Sequence, residues 1–215
     1  NGLILFSNTT TLVTIKNTVL SNVTGTIAAY AAGGSGTGNG EIQFANTTGN
    51  LVFAGVTNQS TASVPATNTR IIATGGGTGT VTFTNMLNSS TDADANIDFS
   101  LMTGNITGTS ISQTGSTTGG DIIFGNGVVI TLTSDITSSR GATGADIIIG
   151  TAASAASFTG KNINNSGKSN IVFTSVSGAG NVNLGSGGIS STNTGTISFP
   201  NTAAGGTFAF TAFTV

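Results

Sequence analysis

The sequence predicts an all-β protein, folded as a parallel β-solenoid with coils of about 25 residues. First, the apolar residues, which make up 37% of the chain, occur in short β-branched and aromatic clusters separated by Gly and Asn. This pattern is typical of strands between turns. Second, no long window shows the period of an amphipathic helix. Third, one strand pattern returns at an even interval, and a period in this range indicates a solenoid.

The repeated pattern is a polar residue, then Ile, then any residue, then Phe or Ile. It occurs as "NIDF" (96–99), "DIIF" (121–124), "DIII" (146–149), "NIVF" (170–173) and "TISF" (196–199). Its last positions are almost evenly spaced along the chain, and they are Phe99, Phe124, Ile149, Phe173 and Phe199. The strands "EIQF" (41–44) and "TVTF" (80–83) share the pattern but break the spacing. We therefore expect a less regular N-terminal half, or insertions there.

Each repeat contains several short strands, such as "DIIF", "VVITLTS" and "DITSS". A single coil cannot bury its own apolar side chains, but a stack of coils can. We expect two inward rows, one of Ile122, Ile147, Ile171 and Ile197, the other of Phe124, Ile149, Phe173 and Phe199. The residues between them, Ile123, Ile148, Val172 and Ser198, are expected to face outward or to lie at a flank.

Residues 1–215 are interpreted as one solenoid domain. Within it we distinguish an irregular N-terminal part (1–95), the regular repeats (96–200) and a terminal strand segment (201–215). Because the chain begins at Asn1 without Met, we expect a processed product or an excised segment.

Composition limits the classes of function. Only 6% of the residues are charged, where a globular domain carries roughly 25%, and the net charge is −2. We therefore expect no nucleic-acid partner, and no apolar run is long enough to suggest membrane insertion. His and Cys are absent, which excludes a Ser-His-Asp triad, a cysteine nucleophile and a soft metal site.

The few charged residues offer two candidate sites. "TDADANIDF" (91–99) places four oxygen-bearing side chains at alternate positions, namely Asp92, Asp94, Asn96 and Asp98. They are a candidate Ca²⁺ site, since Ca²⁺ prefers several oxygen ligands. A calcium loop would carry Gly at the sixth position and Glu at the twelfth, where Ile97 and Thr103 stand, so a polar loop leading into a strand is the alternative. No other cofactor is expected.

Asp121 and Asp146 occupy equivalent places in successive coils. They are interpreted as accepting backbone amides at the start of a strand, with a paired-carboxylate site as the alternative. Arg140 and Lys161 are isolated in the sequence and are expected on the solvated surface.

Threonine alternates with other residues in "TTTLVT" (9–14), "TVTFT" (80–84) and "ITLT" (130–133). Such rows suit an ordered lattice, as on ice-binding solenoids, but threonine is also an ordinary strand residue. In the sequence these rows do not recur coil after coil at equivalent places, which argues against a lattice-binding face.

Both termini are apolar strands without charge. One contains Leu3, Ile4, Leu5 and Phe6, and the other contains Phe208, Phe210, Phe213 and Val215. Unpaired strand edges recruit other chains unless they are blocked. We expect these residues to mediate self-association, so that the partner is another copy of the chain or the adjoining repeats of a longer one.

The segments "VVITLTSDITSSRGATGADIIIG" and "SNIVFTSVSGAGNVNLGSGGISSTNTGTISF" resemble the repeats of filamentous-haemagglutinin-like and autotransporter passenger proteins of bacterial surfaces. The resemblance covers about residues 96–200. It implies a right-handed parallel β-helix outside the cell that serves adhesion or surface architecture. The sequence departs from these proteins in lacking a recognisable N-terminal secretion domain and an Arg-Gly-Asp tripeptide.

We therefore expect a non-enzymatic, extracellular structural or adhesive protein of a bacterial surface that associates with itself into a filament or layer. Host-cell or matrix glycans are further candidate partners. One alternative is a module that binds a lattice or glycan, including ice. Another is a polysaccharide-active β-helix enzyme, which the small number of charged residues disfavours.

Overall fold

A computed structural model confirms the all-β fold and the parallel solenoid. It describes part of the chain, and the statements below refer to that part. The described residues are 2–6, 13–16, 23–29, 42–45, 51–58, 70–74, 79–90, 95–114, 120–125, 128–140, 145–150, 157–167, 169–173, 181–192, 195–199 and 207–215.

The described residues form 21 short strands. Those of the first half are β1 (Gly2–Phe6), β2 (Val13–Lys16), β3 (Val23–Ala29), β4 (Ile42–Ala45), β5 (Leu51–Asn58), β6 (Ile71–Thr74), β7 (Val81–Asn88), β8 (Ile97–Phe99) and β9 (Ile106–Gln113). Those of the second half are β10 (Ile122–Phe124), β11 (Val129–Leu132), β12 (Ile136–Ser138), β13 (Ile147–Ile149), β14 (Ser157–Thr159), β15 (Ile163–Asn165), β16 (Ile171–Phe173), β17 (Asn181–Asn183), β18 (Gly188–Ser191), β19 (Ile197–Ser198), β20 (Thr207–Ala209) and β21 (Ala212–Thr214).

The strands form two sheets. The eight-stranded sheet runs in the order β2-β4-β6-β8-β10-β13-β16-β19. The 13-stranded sheet follows the path β1-β3-β5-β7-β9-β11-β14-β17-β20, with a second branch through β12, β15, β18 and β21 that also starts from β9. Neighbouring strands are parallel, as the pair β10 and β13 illustrates. Each coil therefore contributes to both sheets, and equivalent residues of successive coils form columns.

The two predicted inward rows are confirmed. Ile122, Ile147 and Ile171 are fully buried, and so are Phe124, Ile149 and Phe173 in the neighbouring column. At the C-terminal end of each row, Ile197 and Phe199 are partly buried and pack against the same core. The side chains expected outside or at a flank, Ile123, Ile148, Val172 and Ser198, are half-buried.

Of the two N-terminal segments that share the pattern, "EIQF" contributes β4 to the eight-stranded sheet, whereas "TVTF" does not belong to it. In the eight-stranded sheet Val13, Ile42, Ile71 and Ile97 stand opposite one another. The chain is longer than in the regular repeats from Val13 to Ile42 and from Ile42 to Ile71, whereas the interval from Ile71 to Ile97 matches that of the regular repeats. The repeat is therefore carried by β6. The segment 80–83 leads into β7, in the other sheet.

Long strands in the first half are replaced by pairs of shorter strands in the second half. Strand β9 pairs with β11 through residues 106–108 and with β12 through residues 111–113. At Gly108 a β-carbon would collide with the ring of Phe83. A larger residue would displace that buried ring, so glycine is required where the column passes from β7 to β9.

Replacing Phe124 with Ala is expected to destabilise the fold by about 3–5 kcal/mol, because it opens a cavity in a continuous buried column. The matched control is Val129→Ala on the next strand, since Val129 is 44% exposed and should cost less than about 0.5 kcal/mol. Urea unfolding followed by circular dichroism measures both. Equal costs for the two variants would contradict the stacked core.

Candidate functional site

The residues expected to mediate self-association lie at opposite ends of the solenoid. Leu3, Ile4, Leu5 and Phe6 belong to β1, the first strand of the long path through the 13-stranded sheet. Phe208 belongs to β20 and Phe213 to β21, the last strands of the two branches. The structure therefore does not bring the two groups together within one chain.

Aromatic rings close the C-terminal end of the core. Phe199 stacks on Phe173 with ring centroids 5.0 Å apart, and Phe208 meets Phe199 edge-on at 4.9 Å. Phe210 and Phe213 stack at 6.1 Å. Phe213 nevertheless remains 48% exposed and Val215 70% exposed, so this end presents apolar surface to solvent.

A ladder of carboxyl and amide side chains precedes the strands β8, β10, β13 and β16 of the eight-stranded sheet. The side-chain oxygen Oδ1 of Asn96 accepts the backbone N–H of Asp121 at 2.8 Å. Asp121 accepts that of Asp146 at 2.9 Å, and Asp146 accepts that of Asn170 at 2.8 Å. The interpretation of Asp121 and Asp146 as amide acceptors is confirmed, although each amide belongs to the next coil and not to the residue's own turn.

The candidate calcium residues are only partly described. Asp92 and Asp94 lie outside the described residues. Asn96 takes part in the ladder, and Asp98 accepts the backbone N–H of Ser100 at 2.8 Å. Among the described residues no group of three or more His, Cys, Asp or Glu side chains could hold a metal ion. The calcium site stays a prediction.

Asp121 is the described carboxyl group with the most perturbed acidity. Burial raises its pKa from 3.8 to about 6. The backbone N–H of Asp146 lowers the pKa, the carboxylates of Asp146 and Asp98 raise it, and the guanidinium of Arg140 lowers it. Burial is the largest of these effects, because removal from water disfavours the charged form.

A second column of polar side chains runs inside the solenoid. It consists of Asn58, Asn88, Gln113, Ser138, Asn165 and Ser191, which stand opposite one another in successive coils and are almost completely buried. Its asparagines donate to backbone carbonyls at the turn into the eight-stranded sheet. Asn88 donates to Ala95 at 3.0 Å, and Asn165 donates to Ala145 at 3.0 Å. The column thus satisfies carbonyl groups that the turn removes from water.

The expectation that Arg140 lies on the solvated surface is wrong. Its side chain is fully buried, and its Nη1 donates to the carbonyl of Ser90 at 3.2 Å, 50 residues earlier in the chain. Arg140 lies two residues after Ser138, a member of the polar column. Ser90 and Gly167 occupy the equivalent position in other coils, two residues after their own members of that column. The length of the arginine side chain allows the guanidinium to reach across a coil. Lys161 is exposed, as expected.

Gly120 provides the space for this guanidinium. A β-carbon there would lie 2.7 Å from Nε2 of Gln113 and 2.9 Å from Cζ of Arg140, and the residue has a positive φ of 90°. An L-residue would therefore be strained by its backbone and would also collide with buried polar groups. No local sequence signal reveals this arrangement.

The threonines of "TVTFT" and "ITLT" do recur at equivalent places, which corrects the sequence interpretation. Thr82 pairs with Thr107, Thr107 with Thr131, and Thr131 with Thr159. The column was missed because Thr107 stands in "ITGT" (106–109) and because the intervals are uneven. These four residues lie on the outer face of the 13-stranded sheet.

Within the described residues, no helix is long and apolar enough to cross a membrane.

Replacing Arg140 with Ala is expected to destabilise the fold by about 2–5 kcal/mol, the range for large-to-small substitutions in a core. Lys161→Ala is the matched control, since it removes an exposed positive charge and should change stability by less than about 0.5 kcal/mol. Chemical unfolding at neutral pH measures both. A cost for Arg140→Ala as small as the control would show that the guanidinium is solvated.

Stability is expected to fall as the pH rises between about 4 and 6. In this window the half-buried Asp121 of the folded state holds its proton more tightly than in the unfolded chain, so the folded state binds more protons. Asp121→Asn keeps the oxygen that accepts the N–H of Asp146 and removes the ionisation. We expect this variant to melt at a higher temperature than the wild type at pH 7 and to lose the fall in this window. In the control Asp135→Asn the fall in stability between pH 4 and 6 should persist. If the fall also persists in Asp121→Asn, a group other than Asp121 causes it.

Three comparisons with known proteins place the chain in no family: no protein-family description, no curated protein and no solved structure matches it significantly.

Proposed function

We propose that this chain is a non-enzymatic structural protein of a bacterial surface, which associates with itself by stacking the ends of its solenoid. The observation that carries the proposal is the open edge of each sheet at both ends. Among the described residues, β1 pairs only with β3, and β20 pairs only with β17. In the other sheet β2 and β19 are the outermost strands. Such edges offer unpaired backbone groups to a further strand.

The columns that contain the buried core residues reach both ends with apolar residues. One column begins at Ile4 and continues through Ile27 and the buried Val56 as far as Phe213. Another begins at Val13 in β2 and ends at Ile197 in β19. A second copy stacked on the C-terminal end would therefore extend each column with a residue of the same character and would bury Phe213.

Stacking of this kind is head-to-tail. The N-terminal edge of one copy meets the C-terminal edge of the next, and such a heterologous contact produces an open filament when it does not close into a ring. The net charge of −2 leaves little electrostatic repulsion to oppose close approach.

The location outside the cell and the adhesive role are supported by the resemblance of residues 96–200 to the repeats of bacterial surface proteins. A solenoid fold by itself hosts many functions. The self-association is therefore the part of the proposal that the arrangement of this chain's own strands supports.

Phe213→Lys is expected to shift the full-length chain from large particles to monomers, because it places a charge on the stacking edge. Its melting temperature should change little, since Phe213 is 48% exposed. Leu101→Lys is the matched control, because Leu101 is 55% exposed and belongs to neither terminal coil. Dynamic light scattering and electron microscopy measure the particles.

Removal of residues 207–215 should act in the same direction as Phe213→Lys. A wild-type chain that stays monomeric at high concentration, or a control that dissociates as Phe213→Lys does, would contradict end stacking.

A further inference from the structure

An array of threonines lies on the outer face of the 13-stranded sheet, away from the stacking ends. Its first column consists of Thr82, Thr107, Thr131 and Thr159 on β7, β9, β11 and β14. Thr131 and Thr159 are exposed, and the other two are half-buried. Each member stands opposite the next across one parallel strand pair, a separation of about 4.8 Å.

A second column of threonines runs beside the first. Thr84 lies opposite Thr109, because the residues on either side of them pair in register. Thr133 continues the column, since it follows the pair Leu132–Gly108 and donates its backbone N–H to Gly108 at 3.0 Å. The two columns are two residues apart along each strand, or about 6.7 Å. Three successive coils thus present the pattern Thr-x-Thr in register.

Composition does not account for this arrangement. Threonine occupies 40 of the 215 positions, fewer than one in five, yet it fills all six places of the two columns on β7, β9 and the β11 segment. The first column ends at Asn183, which stands opposite Thr159, and Val129 occupies another outward position of this face, so the outer surface as a whole is not uniform.

The hydroxyl groups of the array are not used to hold the coils together. Within the described part of the chain, none of the seven threonine side chains makes a hydrogen bond to another residue. Other outward columns behave differently: Ser112 and Thr137 bond to each other at 2.9 Å, and Asp135 accepts from Asn162 at 2.9 Å. The threonine hydroxyls therefore face outward with their bonding capacity available to a ligand.

We infer that this threonine array binds ice, a role separate from the proposed end stacking. A ligand that satisfies the array must offer bonding partners at two fixed repeats, as the surface of a crystal does. Each threonine presents one hydroxyl, which bonds a lattice water, and one methyl group, against which neighbouring waters order. The branched side chain has restricted rotation about χ1, so little conformational entropy is lost on binding.

The chemistry favours ice over a polysaccharide. Small-molecule and sugar sites are concave and lined with apolar or aromatic side chains that fix one ligand. All seven positions of the two columns are threonine and lie on the outer face of strands. The exposed Lys161 follows Thr159 by two residues, at the edge of the array. A charged side chain would hold its own hydration shell and disrupt contact with a regular lattice, so the array ends at Lys161.

The test measures thermal hysteresis and the partition of the full chain into a growing ice hemisphere. The wild type should depress the freezing point relative to the melting point and enter the ice. Thr131→Lys, in the middle of the array, should lose most of the hysteresis. Asn164→Lys is the matched control, because it adds the same charge on the outer face of β15, outside the array, and it should keep the activity.

Circular dichroism melting confirms that each variant is folded. Thr131→Val keeps the shape of the side chain and removes only the hydroxyl, so it replaces the lysine variant if that one does not fold, and it should lose part of the hysteresis. Exclusion of the wild type from ice overturns the inference, as does equal activity of the array and control variants. Binding to insoluble cellulose or chitin without binding to ice also overturns it and assigns the array to a glycan. End stacking is read separately by light scattering.

Discussion

Parallel pairing of each strand with the strand one coil away is the interaction on which the rest of this structure depends. Because the pairs are in register, a side chain at one position meets the equivalent side chain of the next coil, as Ile122 meets Ile147. The columns that face the core are therefore apolar from coil to coil, and the buried polar column is polar throughout. The core, the ladder of carboxyl and amide side chains, the buried polar column and the threonine array all depend on this in-register pairing.

The sequence was sufficient to predict the fold where the interval between coils is nearly constant. Between residues 96 and 200 the columns of Ile and Phe recur at an almost even spacing, and the strands lie where the pattern indicates. Earlier in the chain the interval is longer, and the pattern at 80–83 belongs to the other sheet. β6 keeps the regular interval before β8, but Ala73 stands where the pattern has Phe or Ile, so the pattern did not identify it. The threonine column was hidden because the segments between strands absorb differences in length without disturbing the strand pairing.

The buried polar column and Arg140 could not be predicted from local sequence. An arginine is almost never fully buried unless it is paired, and nothing adjacent to Arg140 marks it as an exception. Its burial depends on residues brought near it by the stacking of coils: the carbonyl of Ser90 and the missing side chain of Gly120. The carboxyl ladder was easier to anticipate, because Asp121 and Asp146 stand at the same place in the repeat and Asn can substitute for Asp as an acceptor.

The hydrogen bond from Arg140 to Ser90 adds an interaction between coils that are not immediate neighbours in the stack. In repeat proteins each unit interacts with its immediate neighbours, so stability is close to a sum of unit and interface contributions and the stack can open one unit at a time. Arg140 bonds to Ser90 across an intervening coil, which adds a coupling between second neighbours. The coils at residues 90 and 140 are thereby linked by one side chain, so we expect them to open together and to slow fraying that starts at either end.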